Sequence, residues 1–214
     1  FKEGLPYLDG LEQFIIVDSG AGIAAFKAEQ VLMSNGAYNF SDSEVLVLVE
    51  EEAGKLVAQW GAPESVQYMF FNTQNKPFDD ARVRRAVHLA LDREALNDTF
   101  TSGQGIPIGT IFPPGLGFSY TLEEASQLPG MRYLNGEKHP DDLAEARRLL
   151  KEAGIPEEGF EVELSTRNCC AYPDISAVVI EQLKEAFNWK VDLKVWESAA
   201  GYNAYRDHDF TFVV

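Results

Sequence analysis

Residues 160–195 carry the pattern that most narrows the fold. Phe160, Val162 and Leu164 alternate with Glu161, Glu163 and Ser165, as a half-exposed strand requires. Asp174 then caps a helix whose Ile175, Val178, Val179, Leu183, Ala186 and Phe187 line one side. Val191, Leu193 and Val195 alternate again. A strand, a helix and a strand in this order cross over right-handed and leave the two strands as parallel neighbours. The chain is therefore expected to be an α/β protein. In open α/β sheets ligands bind outside the carboxyl ends of the strands. The loop expected there holds a guanidinium (Arg167), an amide (Asn168), two soft sulfurs (Cys169, Cys170) and an aromatic ring (Tyr172). These are the leading ligand-binding candidates; the competing reading is an ordinary turn between strand and helix.

A second organising stretch is Asn72 to Glu94. It follows the strand-like run Val66–Phe71, which Pro77 and Phe78 end. Asp79 or Asp80 offers a carboxylate to the free N–H groups of a helix start. Val83, Ala86, Val87 and Ala90 recur at helical spacing, so one face is buried, while Arg82, Arg85 and Arg93 are left for solvent. A further helix is expected over Arg93–Thr101, then a long Gly/Pro loop over Ser102–Ser119, a length often kept for function. Leu122–Leu128 predicts a short helix and Met131–His139 an irregular excursion. Pro140, with Asp141 and Asp142 in the first turn, opens a helix with a stripe of Leu143, Ala146, Leu149, Leu150 and Ala153, which Gly154 stops. A short helix over Gly201–His208 and a last strand over Phe210–Val214 follow.

Upstream, Phe14–Val17 reads as a buried strand and Ala21–Met33 as a helix with Ile23, Ala25 and Phe26 toward a core, ended by Asn35-Gly36. Ser41 to Glu44 resembles a helix cap, yet Val45–Val49 suits a strand as well as a helix. Gly61-Ala62-Pro63 is the strongest boundary signal of the first third.

The 214 residues carry a formal net charge of −16. Such a chain repels phosphate backbones and anionic lipid, so nucleic acid is not expected as a partner. No apolar run approaches the roughly 20 residues of a membrane span. The chain opens and stops inside structural segments, so it is expected to be a piece of a longer protein. Cys169 and Cys170 are adjacent, and a strained vicinal disulfide or two reduced thiols both fit. Two cysteines alone make no zinc framework.

Gly20-Ala21-Gly22 opens a helix after a strand-like run, as a dinucleotide fingerprint does, with Glu50 then available to a ribose. Asp18 in front of it would face the phosphates, which argues against a nucleotide-dependent enzyme. Asp79, Asp80, Asp92 and Glu94 are explained by capping and by pairing with the arginines. His88 reads as a satisfied structural histidine, His139 as a cap. No Ser, Cys or His pattern argues for nucleophilic catalysis. Neither a cofactor nor a metal is expected.

The run from Asn72 through Pro77-Phe78-Asp79-Asp80, Arg82-Val83-Arg84 and Asp92-Arg93-Glu94 resembles the extracytoplasmic solute-binding proteins of peptide- and nickel-type ATP-binding-cassette importers, often called family 5. Gly4-Leu5-Pro6-Tyr7-Leu8-Asp9-Gly10, the loop of Gly105-Ile106-Pro107 and Phe112-Pro113-Pro114-Gly115, and the helix Ala146-Arg147 to Gly154 resemble further pieces, in family order. The resemblance implies a partial bilobal fold of the type II periplasmic-binding-protein class. Residues 1–62 would close the first lobe, 63–76 form the crossing strand and 77–214 begin the second. It implies a non-catalytic role outside the cytoplasm, binding a peptide or similar small solute and presenting it to an importer's permease. It adds Gln67, Tyr68 and Phe70 on the crossing strand, and Phe112 in the Pro/Gly loop, as cleft candidates. Core packing is the competing reading of those aromatics. A ligand-sensing domain of a regulator is a further alternative. In peptide-binding relatives, the acidic residue that pairs with the peptide's amino terminus lies beyond where this chain stops.

Overall fold

The computed structural model describes residues 4–5, 7–34, 40–60, 66–107, 110–114 and 116–214. Its chain divides into two compact units, Phe1–Gln59 and Trp60–Val214.

Among its described residues the first unit holds two helices. Helix α1 (Ser19–Lys27) begins where Asp18 accepts from the Ala21 N–H at 2.7 Å. It stops well before Met33 because Glu29 takes a left-handed φ of 58°. Ile23, Ala25 and Phe26 are half-buried, and the Phe26 ring meets Phe40 edge-on. Helix α2 (Asp42–Glu51) carries a complete capping box between Ser41 and Glu44, which decides the ambiguous Val45–Val49 run in favour of helix. Ser19 donates to Glu44 and Lys27 pairs with Glu51, tying α1 to α2. The expected strand over Phe14–Val17 is not formed. No described strand pairs with it, and Ile15 and Val17 stand 89% and 96% exposed. The carboxylate that occupies the start of α1, and the helical state of α2, remove the dinucleotide arrangement: Asp18 fills the anion position and Glu50 ends no strand. Asn35-Gly36 and Gly61-Ala62-Pro63 lie outside the described residues.

The second unit is built on a four-stranded sheet. Its strands are β1 (Phe70–Phe71), β4 (Glu161–Arg167), β5 (Lys190–Trp196) and β6 (Phe212–Val213), in the order β1-β6-β4-β5. β4 runs parallel to β5, from Glu161 opposite Lys190 to Arg167 opposite Trp196, and parallel to β6. β1 closes the edge antiparallel to β6. The run from Val66 thus joins the sheet only by its last two residues. Asn72 fastens this edge: it is buried, and its side-chain amide donates to the carbonyls of His208 and Phe210, both at 3.0 Å.

The helices are α3 (Ala81–Ala90), α4 (Arg93–Thr101), α5 (Leu122–Ser126), α6 (Pro140–Glu152), α7 (Tyr172–Phe187) and α8 (Ser198–Arg206). Asp80 caps α3, and its Val83, Ala86, Val87 and Ala90 are buried as the spacing predicts. His139 caps α6. These helices and the sheet enclose one core in which the rings of Phe71, Phe78, Phe212 and Trp189 lie together, with Phe78 and Phe212 fully buried. Each such ring contributes about 1.5–3 kcal/mol of burial. Leu193 and Val195, on the edge strand β5, remain partly exposed, so its alternation marks the sheet face and not full burial.

Met131–His139 is not irregular. It forms a hairpin of β2 (Tyr133–Leu134) and β3 (Glu137–Lys138). The Tyr133 hydroxyl donates to Asp92 at 2.9 Å and accepts from the N–H groups of Arg93 and Glu94, so the hairpin completes the start of α4. Arg93 is not in solvent. Its guanidinium donates to the carbonyls of Gly130 (2.8 Å), His88 and Leu91, and to His88 Nδ1 at 3.2 Å. That donation makes Nδ1 an acceptor, which puts the ring proton on Nε2, facing the Pro129 carbonyl at 3.1 Å. Burial, then the charge of Arg93, lowers the His88 pKa to about 4. Gly130 allows the close approach: with φ of +89°, a Cβ there would come within 2.6 Å of the His88 ring. Asp142 is buried and accepts from Gly130 N–H and from Arg132.

Candidate ligand-binding site

β4 delivers Arg167 to the carboxyl end of the sheet. The chain stays pinned for one more residue, as Asn168 N–H donates to the Trp196 carbonyl at 2.7 Å. Cys169 N–H turns back to the Arg167 carbonyl, and Cys170 takes a left-handed φ of 56°. α7 begins at Tyr172. Asp174 does not cap it; Ala171 occupies that position without a side-chain bond, and Asp174 lies inside the first turn. Pro173 suits the first turn, where a missing N–H costs nothing. Ser176 is buried and donates back to the Tyr172 carbonyl, which fixes the turn that carries the ring.

The Arg167 side chain lies across α8. Its Nη1 donates to Ser198 Oγ at 2.9 Å, and its guanidinium carbon stands 4.1 Å from the centre of the Tyr202 ring and 5.3 Å from that of Tyr172. Gly201 makes room, since a Cβ there would fall 2.6 Å from Arg167 Cγ. Among the described residues no carboxylate is in ion-pair range of Arg167. The result is a cation held in place by two rings and a hydroxyl, with N–H donors to spare. Burial raises the pKa of the Tyr172 and Tyr205 hydroxyls, so both stay protonated at neutral pH. Tyr205 Oη and Trp196 Nε1 are buried beside this group without a hydrogen-bond partner in the described structure.

The candidates named from sequence fall in two places. Arg167, Asn168, Cys169, Cys170 and Tyr172 share the loop between β4 and α7, with Asn168 and Cys170 exposed and the other three half-buried. Gln67 and Tyr68 border a separate cavity of about 570 Å³, walled by Met69, Phe71, Leu91 and Phe100 and by the Pro/Gly loop. Tyr68 Oη donates to the Ile111 carbonyl at 2.8 Å and anchors that loop. Phe70 and Phe112 do not line the cavity. Phe70 is 58% exposed beside Tyr68, and Phe112 packs edge-on against Phe118. None of the five loop residues lines the cavity, which meets α7 one turn further on, at Ile175 and Val179.

Ser198, Gly201 and Tyr202 did not stand out in the sequence. One signal was available: the helix that follows β5 starts at the same sheet end as the helix that follows β4, because the strands are parallel. Side chains on its first turns therefore face Arg167.

The chain and its fold resemble known proteins. The family model of bacterial extracellular solute-binding proteins, family 5, middle, matches residues 1–214. The glutathione-binding protein GsiB of Salmonella typhimurium is 28% identical over 165 residues, which cover 77% of this chain and 28% of that protein. The protein of the same name from Pectobacterium atrosepticum is 30% identical over the same shares. The chain thus spans well under half the length of these curated relatives. Among solved structures, NikA of Brucella suis with Fe(III)-EDTA superposes with a TM-score of 0.69, at 20% identity, over 92% of this chain and 39% of that one. DppA of Helicobacter pylori with the peptide STSA gives 0.68, at 21% identity, over 92% and 35%. The fold is that of the type II periplasmic binding proteins, and the chain belongs to family 5 of the bacterial extracellular solute-binding proteins.

Proposed function

We propose that this chain is part of the solute-binding component of an ATP-binding-cassette importer. It acts outside the cytoplasm, takes an oligopeptide or similar small solute between the two lobes of the whole protein, and delivers it to the transmembrane permease. Residues 1–62 contribute to the first lobe, 63–76 cross over, and 77–214 begin the second. The role is binding without chemistry: solute contacts with both lobes shift a hinge equilibrium toward the closed form.

The observation that carries this reading is the Arg167 guanidinium. It stands at the carboxyl end of parallel strands, oriented by Ser198, Tyr172 and Tyr202, with no carboxylate in ion-pair range among the described residues. In a chain of net charge −16, a cation without an ion-pair partner among the described residues is suited to an anion from outside. Arginine binds carboxylates through parallel N–H donors. The solute accordingly bears a carboxylate, as the end of a peptide does, and Tyr172 with Tyr202 supplies flat apolar surface beside it. The names of the relatives, which mention glutathione and peptides, agree with that chemistry.

A thermal-shift screen of the full-length protein against short peptides, glutathione, sugars and metal chelates tests this. A carboxylate-bearing solute is expected to raise the melting point, since ligand at 100 times its Kd adds about 2.7 kcal/mol. Stabilisation by neutral sugars alone would refute it.

A further inference from the structure

The cavity of about 570 Å³ lies outside the Arg167 group, and its walls decide what it can hold. They come from the run 66–71, from α3, α4 and α7, and from the Pro/Gly loop, with Met69, Leu96, Phe100, Ile106 and Ile175 among the apolar side chains. Small-molecule sites are mostly apolar hollows of about 300–1,000 Å³, and this one has that size and lining. The loop side of the wall is tied down. Tyr68 Oη donates to the Ile111 carbonyl at 2.8 Å, and Gly105 N–H donates to Thr101 Oγ1 at 2.9 Å, where a Cβ on Gly105 would collide with Asn97 Oδ1.

The walls offer no free charge. Among the described residues no Asp, Glu or Lys lines the cavity. The Arg93 guanidinium is already engaged by the carbonyls of Gly130, His88 and Leu91, and burial keeps the His88 ring neutral at pH 7. An ionised group entering here would lose hydration and gain no counter-charge, whereas an apolar group would gain by leaving water.

Two neighbours tie the cavity to the Arg167 group. Ile175 follows Tyr172 on α7 by three residues, about 4.5 Å along the axis. Val214, also in the wall, accepts through its carbonyl from Thr166 Oγ1 at 3.2 Å, and Thr166 immediately precedes Arg167. Thr166 shares the core face of β4 with Leu164, and Arg167 points to the other face, against α8. The two places thus lie on opposite faces of the sheet at one end of β4. Packed layers are about 10 Å apart and an extended residue covers about 3.3 Å, so a molecule reaching both is about three residues long or longer.

We propose that the cavity receives an uncharged apolar side chain of the same solute whose carboxylate meets Arg167. The solute class is then peptides of about three residues or more with an aliphatic or aromatic side chain upstream of the carboxyl end. This rests on the solute-binding reading and deepens it.

The test is calorimetric titration of the full-length protein with alanine-based tetrapeptides in which each position before the last in turn carries Phe, Leu or Glu. At one position Phe or Leu is expected to bind at least about tenfold tighter than Ala, the usual discrimination of an apolar pocket, and Glu more weakly than Ala. Ile106→Trp puts a larger side chain into the cavity and should bring the Phe-to-Ala ratio toward one. Should that variant fail to fold, Phe100→Ala replaces it, and the enlarged space should favour naphthylalanine over Phe. No side-chain preference at any position, tight binding of Glu in place of Phe, or a preference unmoved by the variant would overturn the pocket. Amidated peptides separate the two readings. Preference without loss on amidation removes the carboxylate reading alone, loss on amidation without preference removes the pocket alone, and no binding by any peptide removes both.

Discussion

Gly201→Ala adds one methyl group to a helix and should disturb the candidate site without touching a bound solute. The new Cβ would fall 2.6 Å from Arg167 Cγ, 3.1 Å from Cδ and 3.2 Å from Trp196 Cβ. The first distance is too short for any real contact, so Arg167 must leave the Tyr202 ring. Overpacking of this kind costs about 1–3 kcal/mol. Replacing a helical glycine returns about 0.5–1 kcal/mol. The net expectation is a loss of about 1 kcal/mol in a urea titration. Solute affinity should fall about tenfold or more, since an oriented hydrogen bond to a charged group is worth about 1.5–3 kcal/mol. The decisive comparison is the Arg167→Ala background. There the obstructing side chain is gone, so Gly201→Ala should be neutral or stabilising, a coupling of about 1–2 kcal/mol between the sites. Additive effects of the two substitutions would refute the claim that Gly201 exists to seat Arg167.

Arg167→Ala and Tyr172→Ala in the full-length protein should each weaken solute binding, read by calorimetry, with little change in the urea midpoint; unchanged affinity in both would remove the loop from the site. Phe212→Ala, in the centre of the aromatic core, should cost about 3–5 kcal/mol by chemical denaturation. Tyr133→Phe leaves the Arg93 and Glu94 N–H groups without their acceptor and should cost about 2 kcal/mol. His88 gives a pH signature. Its folded pKa of about 4 lies below the unfolded value, so the neutral ring is the folded form. Stability from this site is full above about pH 6.5, falls as pH drops toward 4, and levels off about 3 kcal/mol lower. His88→Gln should remove that part of the slope in urea midpoints taken from pH 7 to 4; an identical slope in the variant would refute it.

How far the sequence could be read depended on how local each signal was. The parallel pair β4 and β5 was legible because alternation and helical spacing are written within 36 residues, from Phe160 to Val195. The caps at Asp80, Ser41 and His139 were legible because a cap bonds two or three residues away. Phe14–Val17 failed for the opposite reason: β-like composition forms a strand only when a partner strand is present, and none of the described strands pairs with it. Arg93 was read as solvent-facing from its place on the helix. Its burial comes from Gly130 and the β2–β3 hairpin, about 40 residues on, which helical spacing cannot reveal. Asp174 was read as a cap by residue type, although Pro173 and Tyr172 start the helix earlier. At the site, the loop chemistry of Arg167 to Tyr172 stood in one stretch of sequence. Its partners Ser198, Gly201 and Tyr202 come from the helix after the next strand, and only the parallel topology brings them together.

The most direct measurement is calorimetric titration of the full-length protein, wild type and Arg167→Ala, with the carboxylate-bearing solute that stabilises it most. Saturable binding by the wild type that weakens at least about tenfold in the variant, the share of one charged hydrogen bond, is the expected result. Equal affinity in both proteins, or tighter binding of the same solute with its carboxylate amidated, would contradict it.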